Sequence, residues 1–152
     1  MANTDSHETS NLQMAQPSRP MENGLKEWHR IVAALDWDAL PALLTDEVLF
    51  RNPVALEPYQ GKATMVTILK AVFGVLEDFT YLRQFHNGSG YVLEFQGRVG
   101  SEVLFGVDLI EFNQDGKIQD FAIMMRPANT VLTLAAEAGK RLASNQGSAQ
   151  KV

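Results

Sequence analysis

The sequence of 152 residues contains no cysteine. Disulfides, thiolate nucleophiles and cysteine-ligated zinc or iron–sulfur centres are therefore excluded. Histidine is also scarce, and only His29 and His86 fall within the predicted domain. A metal site built on histidine would need carboxylates to complete it. We accordingly predict that the protein uses neither a metal nor another cofactor.

Clusters of Lys or Arg are also missing, as are apolar runs long enough to cross a bilayer. With a formal net charge of -5 at pH 7, the chain has little electrostatic attraction for phosphate backbones or anionic lipid. The first twenty residues lack the basic start and apolar core of a secretory signal. We therefore expect a cytoplasmic protein that binds neither nucleic acid nor a membrane.

The composition is that of an ordinary globular protein, with 45% hydrophobic and 20% charged residues. A chain of this length buries roughly 70% of its unfolded surface, which is enough for one domain. Residues 1–21 and 144–152 are polar and have too few apolar side chains to offset the entropy of ordering. We predict a single domain over residues 22–143, with a flexible tail at each end.

Two kinds of hydrophobic pattern follow one another along the predicted domain. Apolar residues spaced by three and four indicate helices, and they occur over residues 21–35, 37–44, 62–76 and 131–142. Short β-prone segments separated by turns indicate strands, and they occur over residues 48–53, 79–86, 91–98, 103–112 and 118–126. The last four strands predict an antiparallel meander, and the order α-α-β-α-β-β-β-β plus a C-terminal helix predicts an α+β fold with a curved antiparallel sheet.

Asp108 is the unusual residue of this sheet, because a carboxylate lies in the middle of an otherwise apolar strand. Its neighbours on the same face are Leu104, Gly106, Ile110 and Phe112. An unpaired charge is costly in such surroundings. The carboxyl should therefore be paired, be neutral or face a cavity. Its structural alternative is a buried acid that accepts a hydrogen bond from Arg126, Arg98 or a Trp indole.

The other face of the same strand carries Val103, Phe105, Val107 and Leu109. A solvated face would alternate with polar residues, so something should cover it. A second copy of the chain is the preferred candidate, which predicts a homodimer.

Two motifs resemble the superfamily named after nuclear transport factor 2, in its ketosteroid isomerase-like and SnoaL-like branches. Residues 52–61, which begin with Asn52-Pro53 and end at Gly61, resemble the isomerase segment that starts at its catalytic base. Residues 107–112, with the turn at 115–118, resemble the strand that carries its oxyanion-hole aspartate. The resemblance spans about residues 22–140 and implies a cone-shaped sheet that encloses a pocket.

The resemblance carries over only in part to the catalytic groups. Asp108 matches a neutral aspartic acid that donates a hydrogen bond. Asn52, however, matches the aspartate base, and a carboxamide cannot abstract a proton. Ile31 stands where the isomerase has its oxyanion-hole tyrosine. The isomerase mechanism is therefore not expected.

Two other activities of the superfamily have matching residue types in this chain. Limonene epoxide hydrolases hold a water between two aspartates and an arginine, and SnoaL-like cyclases use an acid in an apolar pocket. The residue types for the hydrolase set are present, although their positions cannot be matched to it: Asp108, Asp120, Arg98 and Arg126.

We interpret the chain as a SnoaL-like protein that binds or acts on a mainly hydrophobic small molecule through acid/base chemistry at Asp108. The alternatives are a non-catalytic ligand-binding or dimerisation module, or a protein-interaction role. The predicted acid/base candidates are Asp108, Glu94 and His86. The predicted ligand contacts are Asn52, Phe50, Trp28, His29, Tyr59, Phe73, Met124 and Arg126. Each has a structural alternative: a turn for Asn52, solvent-exposed positions for His86, Glu94 and Arg126, and core packing for the others.

Overall fold

A computed structural model of the chain describes residues 16–149. Within that part, six strands, three α-helices and one 3₁₀ helix follow one another. They are α1 (Arg19–Ala34), the 3₁₀ helix (Trp37–Leu43), β1 (Leu44–Arg51), β2 (Tyr59–Gln60), α2 (Lys62–Val75), β3 (Glu77–His86), β4 (Gly90–Val99), β5 (Glu102–Phe112), β6 (Ile118–Arg126) and α3 (Ala128–Ala149). None of the described helices combines the length and the apolar character that a bilayer crossing requires.

The strands form one curved, unclosed sheet in the order β2-β1-β6-β5-β4-β3. The predicted α+β layout and the antiparallel meander from β3 to β6 are confirmed. The sheet is not antiparallel throughout, however, because β1 lies parallel to β6. A parallel neighbour needs a long crossover connection, and here α2 with the first three strands of the meander provides it.

The first and last helices, α1 and α3, extend beyond the domain limits of residues 22 and 143 that the sequence predicts. Helix α1 begins at Arg19, where the Ser18 hydroxyl accepts a hydrogen bond from the backbone N–H of Met21 at 3.4 Å. This cap satisfies one of the free N–H groups at the helix start. Helix α3 continues to Ala149. Residues 1–15 and 150–152, which belong to the two predicted tails, lie outside the described residues.

The hydrophobic core lies between the helices and the inner face of the sheet. Helix α1 contributes Trp28 and Ile31, and α2 contributes Met65 and Leu69, all of which are fully enclosed. The large buried side chains that meet them from the sheet are Phe50, Leu93, Phe95, Leu104, Ile118 and Phe121. Trp28 packs on Phe121 with ring centroids 4.9 Å apart. The space above the centre of the sheet is therefore filled mainly by aromatic and long aliphatic side chains.

The outer face of the sheet carries an apolar band with no described element covering it. Along β5 and β6, Val107 lies opposite Met124 and Leu109 lies opposite Ala122. Met124 is 60% exposed, and Phe85 on β3 is 53% exposed. This outer band, defined by Phe85, Val92, Phe105, Val107, Leu109, Ala122 and Met124, is flanked by charged residues.

Candidate functional site

Asp108 lies at the centre of the inner sheet face. On β5 its neighbours across the strands are Leu93 of β4 and Ile123 of β6. The residue is only 3% exposed, so its carboxyl group has been withdrawn almost completely from bulk water. The period of two that sets Asp108 among apolar neighbours therefore places it in the core, as the sequence predicts.

A chain of two hydrogen bonds holds this carboxyl group. The Tyr81 hydroxyl donates to Oδ2 of Asp108 at 2.7 Å, and the indole Nε1–H of Trp28 donates to the Tyr81 oxygen at 2.9 Å. Trp28 is fully buried on α1, whereas Tyr81 comes from β3. The Trp28 indole, one of the predicted partners of Asp108, therefore bonds the carboxyl group only indirectly, through Tyr81.

Burial dominates the electrostatics of the site. Loss of hydration disfavours the charged carboxylate and raises the pKa of Asp108 to about 7, although the hydrogen bond from Tyr81 acts in the opposite direction. Burial, together with the adjacent Asp108 charge, also raises the pKa of Tyr81 well above its usual value. Near neutral pH, Asp108 thus exchanges between the acid and the carboxylate while Tyr81 keeps its proton.

One oxygen of Asp108 remains available. Oδ1 takes no hydrogen bond from the described residues, in contrast to Oδ2. In the same part of the chain, no fully buried side-chain nitrogen or oxygen lacks a partner. Oδ1 is therefore not completely enclosed by protein, and a protonated Asp108 can direct an O–H group at an incoming oxygen atom.

Tyr81 is the site residue that the sequence interpretation misses. The pairing of β3 with β4 is irregular between Tyr81 and Gln84, so alternation along the strand is interrupted there. Tyr81 lies opposite Phe95 and faces the core, as Phe79 does. The signal in the sequence is the alternation of Phe79 and Tyr81. Tyr81 supplies from β3 a hydroxyl group that Ile31, which stands where the isomerase has its oxyanion-hole tyrosine, does not provide.

His29 lies beside this hydrogen-bonded group. Its ring meets the Tyr81 ring edge-on, with centroids 5.1 Å apart and an interplanar angle of 85°. Both residues line a pocket of about 520 Å³ between α1, α2 and β3. Phe73, another predicted ligand contact, lines the same pocket, but Asp108 does not. Tyr81 therefore stands between the pocket and the buried carboxyl group.

Two of the predicted acid/base candidates, Glu94 and His86, do not lie near Asp108. Glu94 lies opposite Val107, so its side chain is on the outer face of the sheet, where it forms an ion pair with Arg83. His86 is exposed at the end of β3 and faces Tyr91 with ring centroids 6.2 Å apart. Neither contacts Asp108 because strand alternation or distance along the strand separates them from it.

Asn52 forms a turn with the local backbone, which is the structural alternative to its predicted ligand contact. Its side-chain oxygen accepts hydrogen bonds from the backbone N–H groups of Val54 and Ala55, both at 2.9 Å. This arrangement is an Asx-type turn directly after β1. The amide oxygen is thereby committed to the local backbone.

The remaining predicted ligand contacts are distributed over two faces of the sheet. Phe50 is buried against Phe121, and Tyr59 stacks on Phe50 with ring centroids 6.5 Å apart. Met124 and Arg126 lie on the outer face, where the Arg126 guanidinium sits 5.2 Å from the centre of the Phe105 ring. The structure therefore groups Trp28 and His29 with Asp108, through Tyr81, and separates Met124 and Arg126 from it.

The four residues of the epoxide hydrolase set do not converge either. Asp120 pairs with Arg51 at 3.0 Å, and Arg98 pairs with Glu77 and Asp78 at the edge of the sheet. Among the described residues, no group of three or more histidine, aspartate or glutamate side chains is arranged to hold a metal ion.

Comparison with known proteins identifies the family of this chain. The model of the SnoaL-like domain matches residues 25–121. A solved structure of a steroid delta-isomerase from Pseudomonas aeruginosa is 42% identical, with a TM-score of 0.83 over 86% of this chain and 96% of that chain. A search among curated proteins gave no match.

Two further solved structures share the fold. An uncharacterised protein with a cystatin-like fold from Silicibacter pomeroyi DSS-3 is 34% identical, with a TM-score of 0.76 over 81% of this chain and 87% of that chain. A protein like nuclear transport factor 2, of unknown function, from Mesorhizobium loti is 19% identical, with a TM-score of 0.63 over 72% of this chain and 93% of that chain. The chain therefore belongs to the SnoaL-like domain family and has the fold of nuclear transport factor 2.

Proposed function

We propose that the protein binds a neutral, mainly hydrophobic small molecule, and that Asp108 donates a hydrogen bond or a proton to an oxygen atom of that molecule. The observation that carries the proposal is the buried carboxyl group whose Oδ2 is held by Tyr81, while Oδ1 has no partner among residues 16–149. A carbonyl, enol or epoxide oxygen is the kind of acceptor that such a donor serves.

The raised pKa makes Asp108 suitable for this task. With a pKa of about 7, a large share of the molecules carry the neutral acid at neutral pH. Brønsted behaviour favours a general acid whose pKa lies near the operating pH. Tyr81 fixes the orientation of the carboxyl group, and Trp28 fixes Tyr81 in turn. The donor is therefore preorganised before any ligand arrives.

Isomerisation, cyclisation or epoxide opening would use this donor in the same way, by stabilising negative charge that develops on oxygen. The 42% identity to a protein described as a steroid delta-isomerase supports testing a steroid ketone first. Isomerisation also needs a base that removes a proton from carbon, and Asn52 cannot supply one. His29, whose ring packs edge-on against Tyr81, is the candidate for that base.

A second candidate is a ligand-binding module that performs no reaction. It is favoured by the commitment of Asn52 to its own turn and by the position of Glu94 on the far side of the sheet. In that case Asp108 would hold an oxygen of the ligand by a hydrogen bond, and the ligand would be released unchanged.

Two steroid probes separate these functions. Binding of androst-4-ene-3,17-dione is measured through its carbonyl stretching frequency, and conversion of androst-5-ene-3,17-dione is measured through the absorbance of the conjugated product. We expect the wild type to lower the carbonyl frequency of the bound probe. Asp108→Leu, which cannot donate, should abolish that shift and weaken binding by roughly 3- to 10-fold, the effect of one hydrogen bond.

Glu94→Gln is the matched control, because it changes a carboxyl group on the opposite face. Conversion that is lost in Asp108→Leu and retained in Glu94→Gln identifies an enzyme, whereas binding without conversion identifies the module. Equal binding and equal carbonyl frequency in the wild type and Asp108→Leu would contradict the proposed role of Asp108.

We also propose that two copies associate through the outer band. Its apolar centre is flanked by Arg83 with Glu94 on one side and by Arg51 with Asp120 on the other. Each flank offers both signs of charge, so a two-fold arrangement can exchange ion-pair partners across the interface while the apolar residues are buried. Self-association would provide the cover that the exposed Phe85 and Met124 otherwise lack.

A further inference from the structure

The pocket beside Tyr81 has the dimensions of a ligand site. It lies between the C-terminal halves of α1 and α2 and the first half of β3, and its volume is about 520 Å³. Pockets of roughly 300–1,000 Å³ are typical for small molecules in proteins. The lining includes Val32 and Ala33 of α1 and Leu76 at the end of α2.

One wall of this pocket is a continuous series of aromatic rings. Phe73 meets Phe79 with centroids 4.9 Å apart, and Phe79 meets Tyr81 at 5.0 Å. Tyr81 in turn meets His29 at 5.1 Å. All three contacts are edge-on, and all four residues line the pocket. Such a wall offers ring edges and faces to a flat ligand.

The lining contains no carboxylate, lysine or arginine. Its polar groups are those of His29, Thr80 and Tyr81, which can hydrogen-bond a single polar substituent. The pockets on the outer face differ, because one includes Arg51 and Asp120 and another includes Arg83 and Glu94. An ionised ligand would lose its hydration here without gaining a counter-charge.

We propose that this aromatic pocket binds a neutral, flat, mainly apolar molecule and holds it against Tyr81. The inference rests on the proposed function in one respect, since it takes the oxygen-bearing end of the ligand to extend past Tyr81 to Oδ1 of Asp108, which does not itself line the pocket. It goes beyond that function by locating the ligand and by assigning its class. Anionic relatives of the same ring system should bind more weakly, because the lining contains no lysine or arginine.

Two dyes that differ by one charged group test the assignment. N-phenyl-1-naphthylamine is neutral, and 8-anilino-1-naphthalenesulfonate carries the same rings with a sulfonate. In fluorescence titrations of the full-length protein, the neutral dye should bind saturably, and the sulfonate should bind at least about tenfold more weakly. Equal or tighter binding of the sulfonate would overturn the proposal.

Substitutions on α1 locate the dye. Ala33 is exposed and lines the pocket, so Ala33→Trp should fill it and reduce affinity for the neutral dye by at least about tenfold. Ala34→Trp is the matched control, because Ala34 is exposed on the same helix but does not line the pocket. Undiminished binding to Ala33→Trp, or equal loss in both variants, would overturn the proposal.

Failure of the pocket and failure of the proposed function give different results. Glu94→Gln, on the opposite face of the sheet, should leave the affinity for the neutral dye within about twofold, since Glu94 does not line the pocket. A dye site that is sensitive to Ala33→Trp, in a protein where Asp108 titrates as an ordinary carboxyl group, would refute only the proposed function. Absence of dye binding, with Asp108 titrating near neutrality, would refute only the pocket.

Discussion

The hydroxyl of Tyr81 donates a hydrogen bond of 2.7 Å to Oδ2 of Asp108, and this contact joins β3, at the edge of the sheet, to β5 in its interior. The acceptor would otherwise lie nearly unhydrated among apolar side chains. The same Tyr81 oxygen satisfies the indole of Trp28. A single hydroxyl group is therefore the hydrogen-bond partner of two buried polar groups from different elements, the Trp28 indole and the Asp108 carboxyl group.

Tyr81→Phe should destabilise the protein by about 1–3 kcal/mol, because it leaves the Trp28 indole and Oδ2 of Asp108 without their partner. It should also raise the pKa of Asp108 further, since the lost hydrogen bond favours the carboxylate. Urea unfolding measures the first effect and carboxyl NMR the second. Tyr91→Phe is the control, as Tyr91 is buried in the same sheet and packs on Phe112. Equal stability losses in both variants would argue against the special role of Tyr81.

Asp108 should make the stability depend on pH in a defined direction. Its pKa is raised from 3.8 to about 7 in the folded protein, so between these values the native state binds more protons than the unfolded state. The free energy of unfolding therefore falls as pH rises from about 4 to about 7, by roughly 4 kcal/mol from this group.

Asp108→Asn removes that dependence while keeping the shape of the side chain. Relative to the wild type, this variant should gain stability on going from pH 5 to pH 8 in urea unfolding experiments. A difference between the two proteins that stays constant over this range would contradict the raised pKa.

The outer band can be tested by introducing one charge. Met124→Glu places a carboxylate at its centre and should weaken self-association by roughly tenfold or more, as measured by analytical ultracentrifugation. Leu132→Glu is the matched control, because Leu132 is 62% exposed on α3, close to the 60% of Met124. A monomeric wild type, or identical association of both variants, would rule out this interface.

Local periodicity made much of the fold predictable. Spacings of three and four located α1 and α2, and alternation located Asp108 on a buried face of β5. The parallel pairing of β1 with β6 was not predictable in this way, because it joins strands that are distant in sequence. Apolar patterns identify the buried face of a strand but not its neighbour.

The candidate site was only partly predictable for the same reason. Asp108 and Trp28 stood out through their residue types, whereas Tyr81 depended on the irregular pairing of β3 with β4. Glu94 shares a strand with Leu93, which faces Asp108, and only the register shows that its own side chain points away. The Asn52 side chain could hydrogen-bond either a ligand or its own backbone. In the structure its oxygen accepts from the Val54 N–H, so it bonds the backbone.

The most direct test of the proposed role of Asp108 is the titration of its carboxyl carbon by ¹³C NMR, assigned by comparison with Asp108→Asn. An inflection near pH 7 is expected, because burial opposes ionisation more strongly than the Tyr81 hydrogen bond favours it. An inflection near pH 4, the value of an ordinary solvated aspartate, would contradict that role.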